Sequence, residues 1–254
     1  MEPAAEIKAN LTRCLKDLRL STVRNIYKEE AHQARHNSYG YEQYLLELME
    51  KECETRWQNR IARFLRESKL PLNKTLESFD LNRLSRKVVA HVNVLLEGSF
   101  LDRKENVLAF GNPGSGKTHL LCAIAHEMIH KGRRIFFTSC NLLVQDLLIA
   151  KRDLLLERKL KRMARYDAII IDDIGYVQQS RKEMEVLFTL LADRYERSSM
   201  MITSNLPFSK WEVIFKDPMT TAAAIDRLVH HSIILELNLP SYRLEESKKR
   251  KVKV

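Results

Sequence analysis

Eight consecutive residues concentrate the chemistry. Gly111-Asn112-Pro113-Gly114-Ser115-Gly116-Lys117-Thr118 fits the pattern GxxxxGK[ST] and holds three of the chain's seven glycines. Glycines let a backbone turn its N–H groups inward around an anion with no Cβ in the way. The N-terminus of a following helix adds its positive end. At this spacing Lys117 reaches the β- and γ-phosphates of a nucleotide, and the Thr118 hydroxyl can ligate Mg²⁺. Both flanks agree, with an apolar run before the loop and the helix-periodic Leu120, Leu121, Ile124, Ala125 and Met128 after it.

A phosphate loop needs a second anchor for its metal. Ala168-Ile169-Ile170-Ile171-Asp172-Asp173 is an apolar strand ending in two carboxylates. The carboxyl ends of parallel strands line the ligand crevice, so Asp172 is expected beside Thr118, ordering Mg²⁺. Asp173 can then position or deprotonate an attacking water. An Asp pair also suits a turn before Gly175, but this pair follows the third strand of a chain whose first strand carries the loop. Asn205 closes the fourth apolar run, where its amide could orient that water. An Asn before Leu206-Pro207 suits turn chemistry equally well, and the residues alone leave both readings standing.

These residues need a scaffold that brings strand ends together. Short apolar runs at 106–110, 134–139, 168–172, 200–204 and 233–237 are mostly separated by helix-length segments. That alternation predicts an α/β fold with a mostly parallel sheet and helices on both faces. Residues 5–104 instead read as helices. Ile7, Leu11, Leu15 and Leu18 repeat at helical spacing over 7–20, and Tyr44, Leu45, Leu48 and Met49 continue from Tyr41. A third helix carries Trp57, Ile61, Phe64 and Leu65, with Trp57 and Phe64 holding it to its domain. Arg56, Arg60, Arg63 and Arg66 form a basic stripe beside that face, and Pro71 marks its end.

Composition narrows the partners. In 254 residues, 43 Lys and Arg against 33 Asp and Glu leave +10, which favours polyanions, nucleic acid ahead of anionic membrane. With 44% hydrophobic and 30% charged residues the chain can build a sizeable core. Cys14, Cys53, Cys122 and Cys140 form no CxxC and there is no His ladder, which argues against a zinc site or disulfide framework and for a reducing cytoplasm. The acidic start is unlike a signal peptide, and no apolar run approaches the ~18 residues of a membrane span. A cytoplasmic protein with no membrane partner is expected.

Together the phosphate loop, Asp172-Asp173, Thr203-Ser204-Asn205 and Asp226-Arg227 resemble the Walker A, Walker B, sensor 1 and arginine-finger elements of AAA+ ATPases. More narrowly, the loop with His119-Leu120, Asp172-Asp173-Ile174-Gly175-Tyr176, Ser204-Asn205-Leu206-Pro207-Phe208, Ala223-Ala224-Ile225-Asp226-Arg227-Leu228 and Ser241-Tyr242-Arg243 resemble IstB, the transposition helper ATPases of a bacterial insertion-sequence family. The likeness spans about residues 5–245. It implies a P-loop AAA+ core over 76–244, an all-helical DNA-binding or assembly domain over 1–75, and a basic flexible tail over 245–254. Residues 111–119 would bind ATP, Thr118 and Asp172 the Mg²⁺, and Asp173, Asn205 and Arg227 would be catalytic. An arginine at 227 read alone suits a surface or an ion pair; the resemblance makes it the finger that reaches a neighbouring subunit's ATP, with Arg194 and Arg197 as substitutes.

The implied function is an ATPase that oligomerises on double-stranded DNA, with ATP at subunit interfaces, and helps a transposase engage its target, hydrolysis driving disassembly. Asp173 stands where many AAA+ proteins have Glu. The shorter carboxylate implies slow basal hydrolysis, stimulated by DNA or assembly. The stretch after 237 is short for a helical lid, so no sensor 2 arginine is assigned. A DnaC-like helicase loader shares the core motifs, while a small-molecule P-loop kinase or a DNA binder using ATP only as glue are rivals of other classes. No NKxD motif supports a GTPase. For DNA, the 56–66 stripe, the basic segment with Lys159, Lys161 and Arg162, and the tail are candidates. The stripe, with Glu52, Glu54 and Glu67 nearby, also reads as a solvated face, and the tail also resembles a nuclear import signal. None of the three carries a base-reading motif, so affinity is expected to be largely sequence-independent and salt-sensitive. Phe79, upstream of the loop, is a candidate for the adenine.

Overall fold

A computed structural model describes residues 4–175, 180–215 and 217–242. The tail over 245–254, Tyr176 and Arg243 lie outside them. The chain divides into two units, Met1–Arg63 and Phe64–Val254.

The first unit contains α1 (Ala4–Asp17), α2 (Ser21–His36) and most of α3 (Tyr41–Ser68). The segments from Tyr41 and around Trp57, expected as two helices, are one continuous 28-residue helix. Ser21–His36 is a helix within the stretch expected to be helical, although no periodicity singled it out. Of the α1 stripe only Leu15 is buried, packed with Val23 and Leu48, while Ile7, Leu11 and Leu18 are exposed. Trp57 is exposed as well, whereas Phe64 is buried.

A buried carboxylate organises this unit. Leu20 provides no side-chain cap for α2, and Glu52, 3% exposed, takes over that role from α3. Its Oε2 accepts the N–H groups of Thr22 (2.8 Å) and Val23 (3.2 Å), and its Oε1 accepts Arg56 Nε at 2.8 Å. Arg56 Nη2 also donates to the Arg19 carbonyl at 2.7 Å, closing the α1–α2 corner. Burial raises the Glu52 carboxyl, but the bonds from Arg56, Val23 and Thr22 outweigh it and hold the group below its ordinary value.

The second unit follows the α/β expectation. After a short 3₁₀ turn at Leu81–Arg83 come α4 (Arg86–Glu97), α5 (Ser99–Asp102), β1 (Asn106–Gly111), α6 (Lys117–His130), β2 (Ile135–Ser139), α7 (Cys140–Arg152), α8 (Leu156–Met163), β3 (Ala168–Asp172), α9 (Arg181–Arg194), β4 (Ser199–Ser204), α10 (Glu212–Phe215), α11 (Pro218–Val229) and β5 (Ser232–Leu237). The five strands pair in parallel in the order β2-β3-β4-β1-β5. Leu108, Ile169, Ile171 and Ile202 pack with Leu143, Leu147, Leu187, Leu190 and Leu228 from α7, α9 and α11. Val107, Ile170 and Met201 are also fully buried and, by strand alternation, face the other side, where α6 lies. Burial on both faces is why β3 opens with four apolar residues and β4 has Met200-Met201-Ile202 at its centre. No described helix is long and apolar enough to cross a membrane.

Replacing Glu52 by Ala leaves two helix-start N–H groups and a guanidinium without their carboxylate. The first unit is expected to lose about 1–3 kcal/mol. Because the folded carboxyl is depressed, its contribution is present above the unfolded carboxylate pKa and lost as pH falls through the folded value. Circular dichroism of the full chain should show acid loss of helix in the wild type, and at neutral pH a Glu52→Ala chain already weakened in denaturant. Equal denaturant midpoints for the two would refute this role.

Candidate nucleotide site

Register brings the strand ends level. Val107 pairs with Met201, which also pairs with Ile170, so β1, β4 and β3 finish side by side. From β1 the chain turns through 111–116 into α6. Gly116 adopts φ 96°, and a Cβ there would stand 2.9 Å from Phe79 Cε2; at Gly111 it would run into the Leu237 carbonyl oxygen. Lys117 opens α6, is 5% exposed, and donates Nζ to the carbonyls of Gly111 (2.8 Å) and Asn112 (3.0 Å). The ammonium thus sits inside the ring of the loop.

The carboxylate of Asp172 meets this loop. Its Oδ1 accepts the Thr118 hydroxyl at 2.7 Å and the Thr203 hydroxyl at 2.7 Å. The Thr203 oxygen in turn accepts Asp173 N–H at 2.8 Å, and its carbonyl accepts Ile174 N–H at 3.0 Å. Asp173 is held in the left-handed region, φ 57°, one of the few non-glycine types that tolerate it. It borders a cavity of about 370 Å³ with Lys117, Thr118 and Asn205, large enough for a small ligand. Asn205 leaves β4 with its buried Oδ1 without a hydrogen-bond donor among the described residues. It also borders a second cavity of about 380 Å³ beside Phe110, Phe208 and Glu236.

The far wall comes from segments distant in sequence. Phe79 stands over Gly116, and His119 meets its ring edge-on at 5.2 Å. His119 Nε2 lies 3.1 Å from the Thr75 carbonyl and 3.0 Å from Ser78 Oγ, so it also ties the loop to the preceding linker. Burial, with a small contribution from Lys74, lowers its pKa more than the Thr75 bond raises it. After β5, Tyr242 N–H donates to the Gly114 carbonyl at 3.0 Å. Arg83 stacks on the Tyr242 ring at 5.2 Å and donates to the Pro240 carbonyl at 3.2 Å. Sequence reasoning missed Arg83 and the Thr203 bridge. The strand-end position of Thr203 was a usable signal for its role; nothing local marked Arg83. Burial pushes the Cys122 thiol up to about 12, so it is no nucleophile.

The arginines separate clearly. Arg227 lies in the last turn of α11, stacked 4.7 Å over Phe188 and away from the residues lining the phosphate-loop cavity. Arg194, a substitute finger, is 1% exposed and donates to the carbonyls of Met163, Tyr166 and Ser199 at 2.9–3.1 Å. Buried this deeply, it is out of a neighbour's reach, and burial lowers its pKa to about 10. Arg197 is exposed, 3.6 Å from Asp193. Among the basic candidates, Arg56 is engaged by Glu52 and Arg60 leans on Trp57 at 5.8 Å, while Arg63 and Arg66 are exposed. On α8, Lys159 pairs with Asp146 and Lys161 with Glu157, and Arg162 is exposed.

The chain is similar in sequence and in fold to known proteins. The family profile described as "IstB-like ATP binding protein" matches residues 13–250. A putative insertion sequence ATP-binding protein of Sinorhizobium fredii is 42% identical over 93% of this chain and 80% of its own. The insertion sequence IS21 putative ATP-binding protein of Pseudomonas aeruginosa is 37% identical over 85% of this chain and 82% of its own. AMPPCP-bound DnaA from Aquifex aeolicus shares the fold, with TM-score 0.57 and 21% identity over 73% of this chain and 56% of that one. So does a DnaC helicase loader, with TM-score 0.56 and 17% identity over 65% and 97%.

Thr203→Val removes a hydroxyl that both donates to Asp172 and accepts from Asp173. The second unit should lose about 1–3 kcal/mol, or about 2–4 °C of thermal midpoint per kcal/mol. An unchanged midpoint in differential scanning fluorimetry would show that the bridge carries no load.

Proposed function

The chain belongs to the IstB-like ATP-binding protein family, and from that premise we propose that it is an ATPase whose site is completed by a neighbouring copy. The observation that supports this most is the meeting of Thr118, Asp172 and Thr203 at one oxygen beside Lys117. Residues 111–119 cradle the phosphates of ATP. The Lys117 ammonium exchanges two loop carbonyls for phosphate oxygens, which are stronger, charged acceptors.

Thr118 and Asp172 supply only oxygen donors, which fits Mg²⁺, a hard cation that favours oxygen ligands. When bound, the ion would neutralise charge developing on the phosphates. Asp173 and Asn205 border the same cavity and are placed to hold the attacking water. Arg227, pointing elsewhere in its own chain, is the residue we assign to a neighbour's ATP.

The basic charge of the chain supports DNA binding. Lys159, Lys161 and Arg162 on α8 are the favoured phosphate contacts. Exposed ion pairs such as Lys161–Glu157 are worth little and exchange readily for a phosphate. The 56–66 stripe is a second candidate, with Arg56 already committed to its own unit. The insertion-sequence relatives favour a transposase as partner, and double-stranded DNA as the platform for assembly in a bacterial cytoplasm. A helicase loader has only a shared fold in its support.

Mixing two inactive variants tests the shared site. Lys117→Ala should lose nucleotide binding, and Arg227→Ala should keep binding while stimulated hydrolysis falls by about 10³-fold or more. Combined, they should recover phosphate release with DNA, because a Lys117→Ala subunit still lends Arg227 to an intact loop. No recovery, or full activity of Arg227→Ala alone, would overturn the assignment.

A further inference from the structure

Opposite the phosphate loop, at the N-terminal ends of the strands, three ligand-type side chains meet. Glu196 lies in the corner between α9 and β4, in the left-handed conformation at φ 57°. His230 and His231 join α11 to β5. One carboxylate oxygen and one nitrogen from each imidazole lie within 4.8 Å of one another, and all three residues are exposed.

Their backbones are fixed independently of any ligand. β1 lies between β4 and β5, and Asn106, at its start and 6% exposed, ties both corners. Asn106 Nδ2 donates to the Leu228 carbonyl at 3.1 Å, its Oδ1 accepts Met200 N–H at 2.9 Å, and its own N–H donates to the His231 carbonyl at 2.7 Å. The two imidazoles pack edge to face at 4.2 Å, and Tyr195 Oη lies 3.3 Å from His230 Nδ1. Such outer contacts orient metal-binding imidazoles.

We propose that Glu196, His230 and His231 form a site for a borderline transition-metal ion of the Zn²⁺ or Ni²⁺ class. Two imidazoles with one carboxylate suit these ions, whereas Mg²⁺ prefers an all-oxygen shell. Ligands with bonds of about 2.0–2.2 Å stand closer than the present separation, and rotation of exposed side chains on fixed backbones closes the gap. The remaining coordination positions face solvent. Arg227 precedes His230 by one turn of chain, so the ion would clamp the end of the helix carrying the proposed finger to the α9–β4 corner. Sequence spacing conceals the site because Glu196 is remote from the histidine pair.

Calorimetric titration of Zn²⁺ into the full chain, with Mg²⁺ present, tests this. One ion per chain is expected, bound about 10-fold or more weakly by His230→Ala/His231→Ala and by Glu196→Gln. His32→Ala/His36→Ala, altering histidines in the first unit, should bind as the wild type does. Co²⁺ substituted into the wild type should show nitrogen–oxygen ligand-field bands without a thiolate charge-transfer band, which keeps the test decisive if the double variant fails to fold. No saturable binding, an unchanged affinity in Glu196→Gln, or a thiolate band would overturn the site.

Discussion

One carboxylate oxygen governs the geometry of the second unit. Asp172 Oδ1 receives hydroxyls from the start of α6 and from β4, and so joins three pieces of chain that follow or form β1, β3 and β4. This works only while those strands stay in step. Because side chains alternate across a strand, a one-residue slip of β3 would turn Asp172 to the opposite face and separate it from both threonines. The parallel register and the buried apolar residues of β3 and β4 resist that slip, so the hydrophobic core is what keeps the polar cluster aligned.

The phosphate loop is held from above by another set of contacts. Phe79 occupies space that only glycine at 116 leaves open, and the Tyr242 N–H binds Gly114. Arg83 then stacks on Tyr242, so the linker before α4 and the segment after β5 are joined across the mouth of the cavity. Loop conformation, aromatic wall and closing segment are therefore interdependent. Filling the cavity would be felt at both ends of the second unit's chain.

Much of this was legible in the sequence, for identifiable reasons. The inner strands β1, β3 and β4 show as apolar runs because the sheet is covered on both faces there, while the edge strands β2 and β5 are only partly buried. The expected second strand begins one residue early, at Arg134, whose side chain pairs with Glu67 and stacks between Phe64 and Tyr166. Helix α2, within the stretch read as helical, was not delimited because its inward positions are Val23, Glu30 and Ala34, a charged and a small residue where periodicity seeks large apolar ones. Gly111 to Thr118, Asp172, Asp173 and Asn205 were readable as a motif with strand-end carboxylates, and the fold brings them to one cavity or its edge. Arg194 resembled any surface arginine, since burial beneath three carbonyls is set by tertiary packing. Arg83 and Tyr242 are joined only by folding across most of the second unit.

Whether Thr118 and Asp172 hold a metal that carries nucleotide is tested most directly by equilibrium binding of a fluorescent ATP analogue, with and without Mg²⁺, to the wild type and to Thr118→Val. Mg²⁺ should tighten binding to the wild type and leave the Thr118→Val affinity at its metal-free value. An equal Mg²⁺ effect on both proteins would contradict the proposed site.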